Sequence, residues 1–281
     1  MGIFREVENQ KQYLLNNNKS LEALKNYHCP IYSPDAKGNP ISIGSSVLID
    51  IFNHKFLVTA GHVLDYTYTR KVSIKSGNKL VNITGEIIDT KFAEKRSEDK
   101  IDLALLELNE EMKEALLGYD YLKVEEIEYN HISNDSETSY TFIGFPATKN
   151  KLIYNTLRVK ASIYSYTATR ANKSAYYDLG ITPITHIAIK YRRKKLLTLN
   201  DNASNAPDFS SMSGGGIWLN DNLHHHPTIY KPKIKLVGIA LSKHKKNQCL
   251  MGVSTGAVIE LIKANCNIPE LMFYRTNMII L

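Results

Sequence analysis

Residues 41–64, ISIGSSVLIDIFNHKFLVTAGHVL, hold two β-rich runs and end in a tight turn that carries a histidine. The runs, 41–51 and 55–59, are dense in Ile, Val, Leu and Phe, and the polar pair Asn53-His54 parts them. Working outward, short apolar runs bounded by Gly, Asn, Asp and Lys clusters recur at 71–74, 80–88 and 103–108. A second set follows at 140–144, 157–166, 186–191, 216–219, 234–240 and 251–253. Many short strands at such spacing predict an antiparallel barrel or sandwich. Upstream, 5–27 reads as a polar helix or helix pair, broken by Pro30, Pro34 and the cluster at 35–40. The stretch 109–118 reads as a short helix and 119–137 as an irregular acidic connection, while 255–264 has amphipathic helical spacing. The expected organisation is mainly β. It has an N-terminal helical extension over 1–35 and two β-rich halves, 36–125 and 126–281, the second closing with a helix.

Composition narrows the function classes. With 281 residues, 43% of them hydrophobic and 22% charged, the chain can bury a full core and is not disordered. No run approaches the roughly 18 apolar residues a membrane span needs. The first twenty residues lack the apolar segment of a signal peptide, so no membrane partner is expected. Cys29, Cys249 and Cys266 are odd in number and scattered, which suits thiols in a reducing compartment and predicts a cytoplasmic location. The net charge of +7 concentrates at 191–195 and 243–246. These runs read as solvated loops and hairpin tips, without the interleaved aromatics of a base-stacking surface, so nucleic acid is not the expected partner. His224, His225 and His226 are adjacent and cannot all face one ion; they read as a surface hairpin loop, and neither metal nor cofactor is expected.

Three segments carry chemistry. Phe56–Leu64 is an apolar strand that turns at His62. Lys100–Leu108 is a buried-looking strand opened by Asp102, and Ser211–Trp218 sets Ser213 in a glycine-rich turn before a new strand. A serine hydroxyl is a weak nucleophile until an imidazole takes its proton, and that imidazole needs a carboxylate to fix its tautomer. Glycines beside the serine let the backbone turn sharply and aim N–H groups at a developing oxyanion.

These residues resemble a known family. Thr59-Ala60-Gly61-His62 resembles the T-A-x-H box of trypsin-like, chymotrypsin-fold peptidases. Asp102-Leu103-Ala104-Leu105-Leu106 is similar to their aspartate strand, and Ser213-Gly214-Gly215 to their nucleophile box. Gly144-Phe145-Pro146 and the run 236–240 match the frame around these, so the resemblance spans about residues 40–265. It implies two antiparallel six-stranded barrels with the active site in the cleft between them. It further implies a catalytic triad of His62, Asp102 and Ser213, and an oxyanion hole made by the N–H groups of Ser211 and Ser213. The pocket base would fall at Pro207, with Leu241, Ser242 and Lys243 along the bound substrate. The activity implied is a serine endopeptidase that cuts a specific intracellular protein partner through an acyl-enzyme on Ser213. A regulatory protein could control it, and an inactive pseudoprotease that binds proteins is the alternative.

The sequence departs from that family in two places. Ser211 stands where the family has glycine, which leaves open a resting state with the oxyanion peptide flipped. Met212 replaces the aspartate that captures a newly cut N-terminus, so activation by that route is not expected.

Overall fold

The structure, a computed structural model, describes residues 15–90, 95–136, 138–153, 158–191, 196–197, 203–204, 208–220 and 234–278. In the first half a helix α1 (15–24) leads to β1 (His28–Pro34), β2 (Pro40–Ile51) and β3 (His54–Ala60). A single turn α2 (Gly61–Leu64) follows, then β4 (Ser73–Ser76), β5 (Lys79–Asn82), β6 (Ile87–Asp89) and β7 (Leu103–Glu107). Helix α3 (Glu110–Ala115) and the short β8 (Leu122–Lys123) complete it. The second half holds β9 (Ser139–Gly144), β10 (Lys151–Ile153), β11 (Arg158–Lys160), β12 (Tyr164–Thr169) and α4 (Lys173–Leu179). It continues with β13 (His186–Lys190), β14 (Leu196–Leu197), β15 (Ala203–Ser204), β16 (Gly216–Asn220), β17 (Ile234–His244), β18 (Cys249–Ser254) and α5 (Thr255–Asn265).

Two main sheets result. The first runs β5-β4-β1-β2-β3-β7-β6 with β8 beside β2, eight strands in all, and the second runs β12-β9-β16-β17-β18-β13. Just past β12, Arg170 bridges Ile189 of β13, which joins the two ends of the six-stranded sheet. The fold is mainly β with two antiparallel sheets and a C-terminal helix, as expected, but the first sheet has eight strands where six were expected, because β8 adds to β2 in parallel and β5 and β6 are separate strands. The turn between β2 and β3 is set by Phe52 and Asn53, both with positive φ (51° and 71°), the pairing a two-residue hairpin demands. Asp50 accepts the Asn53 N–H at 2.9 Å and holds that turn.

Three expectations need correction. The segment 28–34, placed in the helical extension, is a strand of the first sheet that pairs with β2 along its whole length. Pro30 and Pro34 are tolerated because β1 bonds β4 only at Ile31 and Tyr32, so neither proline owes that neighbour an N–H. The run 80–88 splits into β5 and β6 around Gly85, whose φ is 123°. Helix α4 was not expected; Gly180, at φ 61°, ends it in the left-handed cap conformation that glycine accepts without strain.

The halves share one apolar core. Val47, Leu57 and Leu105 of the first sheet belong to the same buried cluster as Trp218, Ile239 and Val253 of the second, together with Val258 and Leu261 of α5. His28 makes the polar joint across it. Its Nδ1–H donates to the Leu24 carbonyl at 2.9 Å, and its Nε2 accepts the Trp218 indole N–H at 3.4 Å. Burial pushes the His28 imidazole down from 6.5 to about 4. Between those two values the unfolded chain binds a proton that the folded chain refuses, so stability rises with pH and is lost as pH falls from about 6.5 towards 4. Acidification from pH 7 to pH 5 removes about 2 kcal/mol through His28. Burial also lowers His186, which adds in the same direction. Denaturant midpoints measured across that range check this: His28→Gln should flatten the profile, and an unchanged slope would refute the assignment.

Candidate active site

Strand β3 delivers His62, and β7 delivers Asp102. Their antiparallel register sets Ala60 opposite Leu103, so the chain on either side brings Gly61 and His62 against Asp102. The Asp102 carbonyl accepts the Gly61 N–H at 2.7 Å. Its Oδ1 accepts the His62 backbone N–H at 2.9 Å, and its Oδ2 lies 2.6 Å from His62 Nδ1. One carboxylate thereby fixes both the backbone and the ring of the histidine, and Nδ1–H donation leaves Nε2 as a free base. Asp102 reaches this pose with φ of 45°, a left-handed backbone that Asp and Asn tolerate better than other residues. A Cβ at Gly61 would sit 2.6 Å from Arg96 Nη1 and 3.0 Å from Asp102 Oδ1, so the Arg96 guanidinium would have to shift to admit one.

Ser213 lies in the loop that enters β16, and strand β2 of the other sheet clamps that loop. The Ser45 N–H donates to the Ser213 carbonyl at 2.8 Å, and Ser45 Oγ donates to the Ser211 carbonyl at 2.9 Å. Ser211 Oγ in turn donates to the Ser42 carbonyl at 2.6 Å. Gly214, at φ 85°, presses so closely on Thr59 and Ser45 that its missing Cβ is what lets the sheets meet. Ser45 was not singled out in the sequence. The signal was there, since Gly44-Ser45-Ser46 interrupts an otherwise apolar strand, but the partner lies 166 residues away.

The peptide between Ser210 and Ser211 is held in one orientation. The Ser210 carbonyl accepts the Ala147 N–H at 3.0 Å, and a trans peptide then sends the Ser211 N–H the opposite way. Ser211 has φ of 69°, the left-handed region that the family's glycine would occupy without strain. Among the described residues neither the Ser211 nor the Ser213 N–H has an intramolecular acceptor. The Ser213 hydroxyl donates to the Leu241 carbonyl at 2.6 Å and makes no hydrogen bond to His62.

Leu241 sits at a bulge in β17, with its carbonyl turned to Ser213 and its side chain buried. Ser242 is exposed and bonds the ring of His244 at 2.9 Å. Lys243, read as part of an exposed basic run, folds inward instead: its ammonium pairs with Asp208 at 2.5 Å and lies 5.9 Å from the Tyr191 ring. Tyr191 packs edge-on with Tyr166 and Phe209, which draws the 243 side chain towards an aromatic wall. Lys245 and Lys246 do stand exposed at a hairpin tip. Pro207, His224, His225 and His226 lie outside the described residues. The three thiols are free, and burial raises them, Cys29 to about 12 and Cys249 and Cys266 to about 11, so none is a poised nucleophile. No described helix is long and apolar enough to cross a membrane.

No family model matches the chain, and no curated protein matches its sequence. Solved structures do match its shape. The VesB protease of Vibrio cholerae superposes with a TM-score of 0.51 at 13% identity, covering 86% of this chain and 64% of that one. A Glu endopeptidase gives 0.45 at 16% identity, covering 83% and 88%. The Rv3671c protease from M. tuberculosis gives 0.46 at 11%, covering 89% and 85%. The likeness to VesB, the one of the three above 0.5, shows the fold of the trypsin-like serine peptidases in this chain.

Proposed function

We propose that this chain is a serine endopeptidase in which Ser213 attacks the peptide carbonyl, His62 moves the proton and Asp102 orients His62. The observation that carries this reading is the double grip of Asp102 on His62, at 2.9 Å to the backbone N–H and 2.6 Å to the ring. It leaves Nε2 as the base, in the turn after β3, whose Thr59 packs with Ser45 of β2 against the Ser213 loop. In the reaction the Ser213 hydroxyl leaves the Leu241 carbonyl and gives its proton to Nε2 as the Oγ–carbon bond forms. The unpaired N–H groups of Ser211 and Ser213 receive the oxyanion. His62 then protonates the leaving amine, and water hydrolyses the acyl-enzyme by the same steps in reverse order.

Support for a protein substrate is the end of β17 from Leu241 to His244, past the last residue that pairs with β16, where an extended chain can add as a strand beside Ser213. The free thiols are in keeping with a reducing cytoplasm, the compartment in which we place the specific protein partner that would be its substrate. The hydrogen bond from Ser213 to Leu241, in place of one to His62, favours a second reading: a pseudoprotease that binds proteins without turnover. A fluorophosphonate probe separates the two. Wild-type protein should label at Ser213 while Ser213→Ala and His62→Ala do not; wild type that stays unlabelled would leave the pseudoprotease.

A further inference from the structure

Behind the His62–Asp102 pair stands a group that neither the sequence nor the fold draws attention to. Arg96, only 13% exposed, reaches back under α2 and gathers four carboxylates from three stretches of chain, at Asp65, at Asp89 and at 99–102. Its Nε and Nη2 grip Asp65 at 3.0 and 2.9 Å, a two-pronged contact to the turn after α2. Nη2 also donates to Asp89, the last residue of β6, at 2.7 Å, and Nη1 donates to Asp99 at 3.1 Å. Nε lies 3.9 Å from Oδ1 of Asp102, the oxygen that takes the His62 backbone N–H. Asp99 is itself tied down, accepting from Thr90 Oγ1 at 2.9 Å and the Ile101 N–H at 3.0 Å. The Gly61 Cα packs directly on this guanidinium. Two further groups face the segment. Lys100 sends its ammonium away to the Gly180 carbonyl at 2.9 Å, and His186 bonds the Lys100 carbonyl at 2.9 Å.

We infer that Arg96 is a positioning residue for catalysis, which fixes the Asp102 carboxylate and sets the charge that His62 feels. One guanidinium holds its charge throughout turnover, whereas His62 gains and loses a proton. Set against Asp65, Asp89, Asp99 and Asp102, Arg96 keeps four neighbouring carboxylates from repelling one another and from drawing the His62 proton too strongly. It also occupies the Oδ1 side of Asp102, which reserves Oδ2 for the ring. Take the guanidinium away and the potential at His62 becomes more negative. The imidazole then keeps its proton to higher pH and is a base for less of the time.

This inference rests on the endopeptidase reading only for its kinetic arm. That arm is the rate of fluorophosphonate labelling of Ser213 followed against pH; the other arm is the proton resonance of the His62 Nδ1–H held by Asp102, which needs no turnover. Arg96→Met should move the acid limb of the labelling profile up by about one pH unit, the size expected for one charge a few ångströms beyond Asp102. It should also shift or broaden the Nδ1–H resonance. Arg96→Lys restores the charge without the fork and should recover most of the limb. Asp65→Asn, at a half-exposed partner that the fold can spare, should move the limb down, because Arg96 then turns to Asp102. An Arg96→Met protein with the wild-type limb and the wild-type resonance overturns the inference. So does an Asp65→Asn limb that stays put or rises, and this second variant decides the matter if Arg96→Met does not fold. Should wild-type protein label at no pH, the endopeptidase reading falls, and the Nδ1–H resonance alone judges Arg96: moved in Arg96→Met or Asp65→Asn upholds it, unmoved in both sinks it.

Discussion

Asp102→Asn lowers the labelling rate of Ser213 by about 10⁴-fold and leaves the fold standing. Asparagine accepts the left-handed backbone that Asp102 adopts at φ 45°, and its carbonyl oxygen can still take the His62 backbone N–H. The amide nitrogen then falls where Oδ2 was, facing His62 Nδ1 at 2.6 Å. A donor in that place forces Nδ1 to accept, so the ring proton moves to Nε2 and the base is lost. The loss is one of tautomer more than of shape. Rates measured alongside a thermal melt check it: a variant that melts like wild type yet labels within tenfold of it would show that Asp102 is not the orienting group.

Gly214→Ala should destabilise the protein by about 3 kcal/mol or more, which combines a strained left-handed alanine with overpacking of a closed interface. The new Cβ would lie 2.0 Å from Thr59 Oγ1 and 2.1 Å from the Ser45 carbonyl. Neither can give way easily, because Thr59 Oγ1 already donates to that carbonyl at 2.7 Å and both sit in paired strands. The melting temperature should fall by about 6 to 12 °C and labelling of Ser213 should vanish with the loop's shape. Gly38 supplies the control. It has a similar φ of 81° but nothing within 4 Å of its Cβ position, so Gly38→Ala should cost only about 1 kcal/mol. Equal melting temperatures for the two variants would mean that the sheets do not meet as closely at Gly214 as described.

Local chemistry was legible in the sequence and remote contact was not. The run Thr59-Ala60-Gly61-His62, the strand opened by Asp102 and the turn around Ser213 carry their signals in adjacent residues: apolar runs, a glycine, one polar group in the right phase. The break between the runs 41–51 and 55–59 was readable, but the turn itself was not, since Phe52 shares the left-handed backbone with Asn53 and His54 already belongs to β3. By contrast β1 was hidden by its prolines, whose meaning depends on which neighbour each residue faces. Helix α4 was hidden because KSAYYDL has too few apolar positions to show a stripe, and only Gly180 marked its end. Ser45 and Arg96 were missed because their roles exist only between segments: a serine reads as a polar interruption, and an arginine among acids reads as an exposed charged turn. The inward fold of Lys243 depends in the same way on Asp208 and Tyr191, which lie 35 and 52 positions away along the chain.

The clamp of β2 on the Ser213 loop also orders events during synthesis. The groups that shape the loop are made early: Ser42 and Ser45 emerge long before Ser211, with sequence separations of 169 and 166 residues. The first sheet can therefore assemble on the ribosome while the nucleophile has yet to be translated. When Ser213 does appear, its loop can close turns of its own, from the Met212 N–H to the Phe209 carbonyl and from the Gly215 N–H to the Met212 carbonyl, but it gains its contacts to Ser42 and Ser45 only on docking against that waiting strand. A nascent or half-folded chain thus carries an assembled His62–Asp102 pair and an idle serine. On the endopeptidase reading proposed above, cleavage competence would arrive with that docking step, after the molecule itself has ceased to be an unfolded substrate.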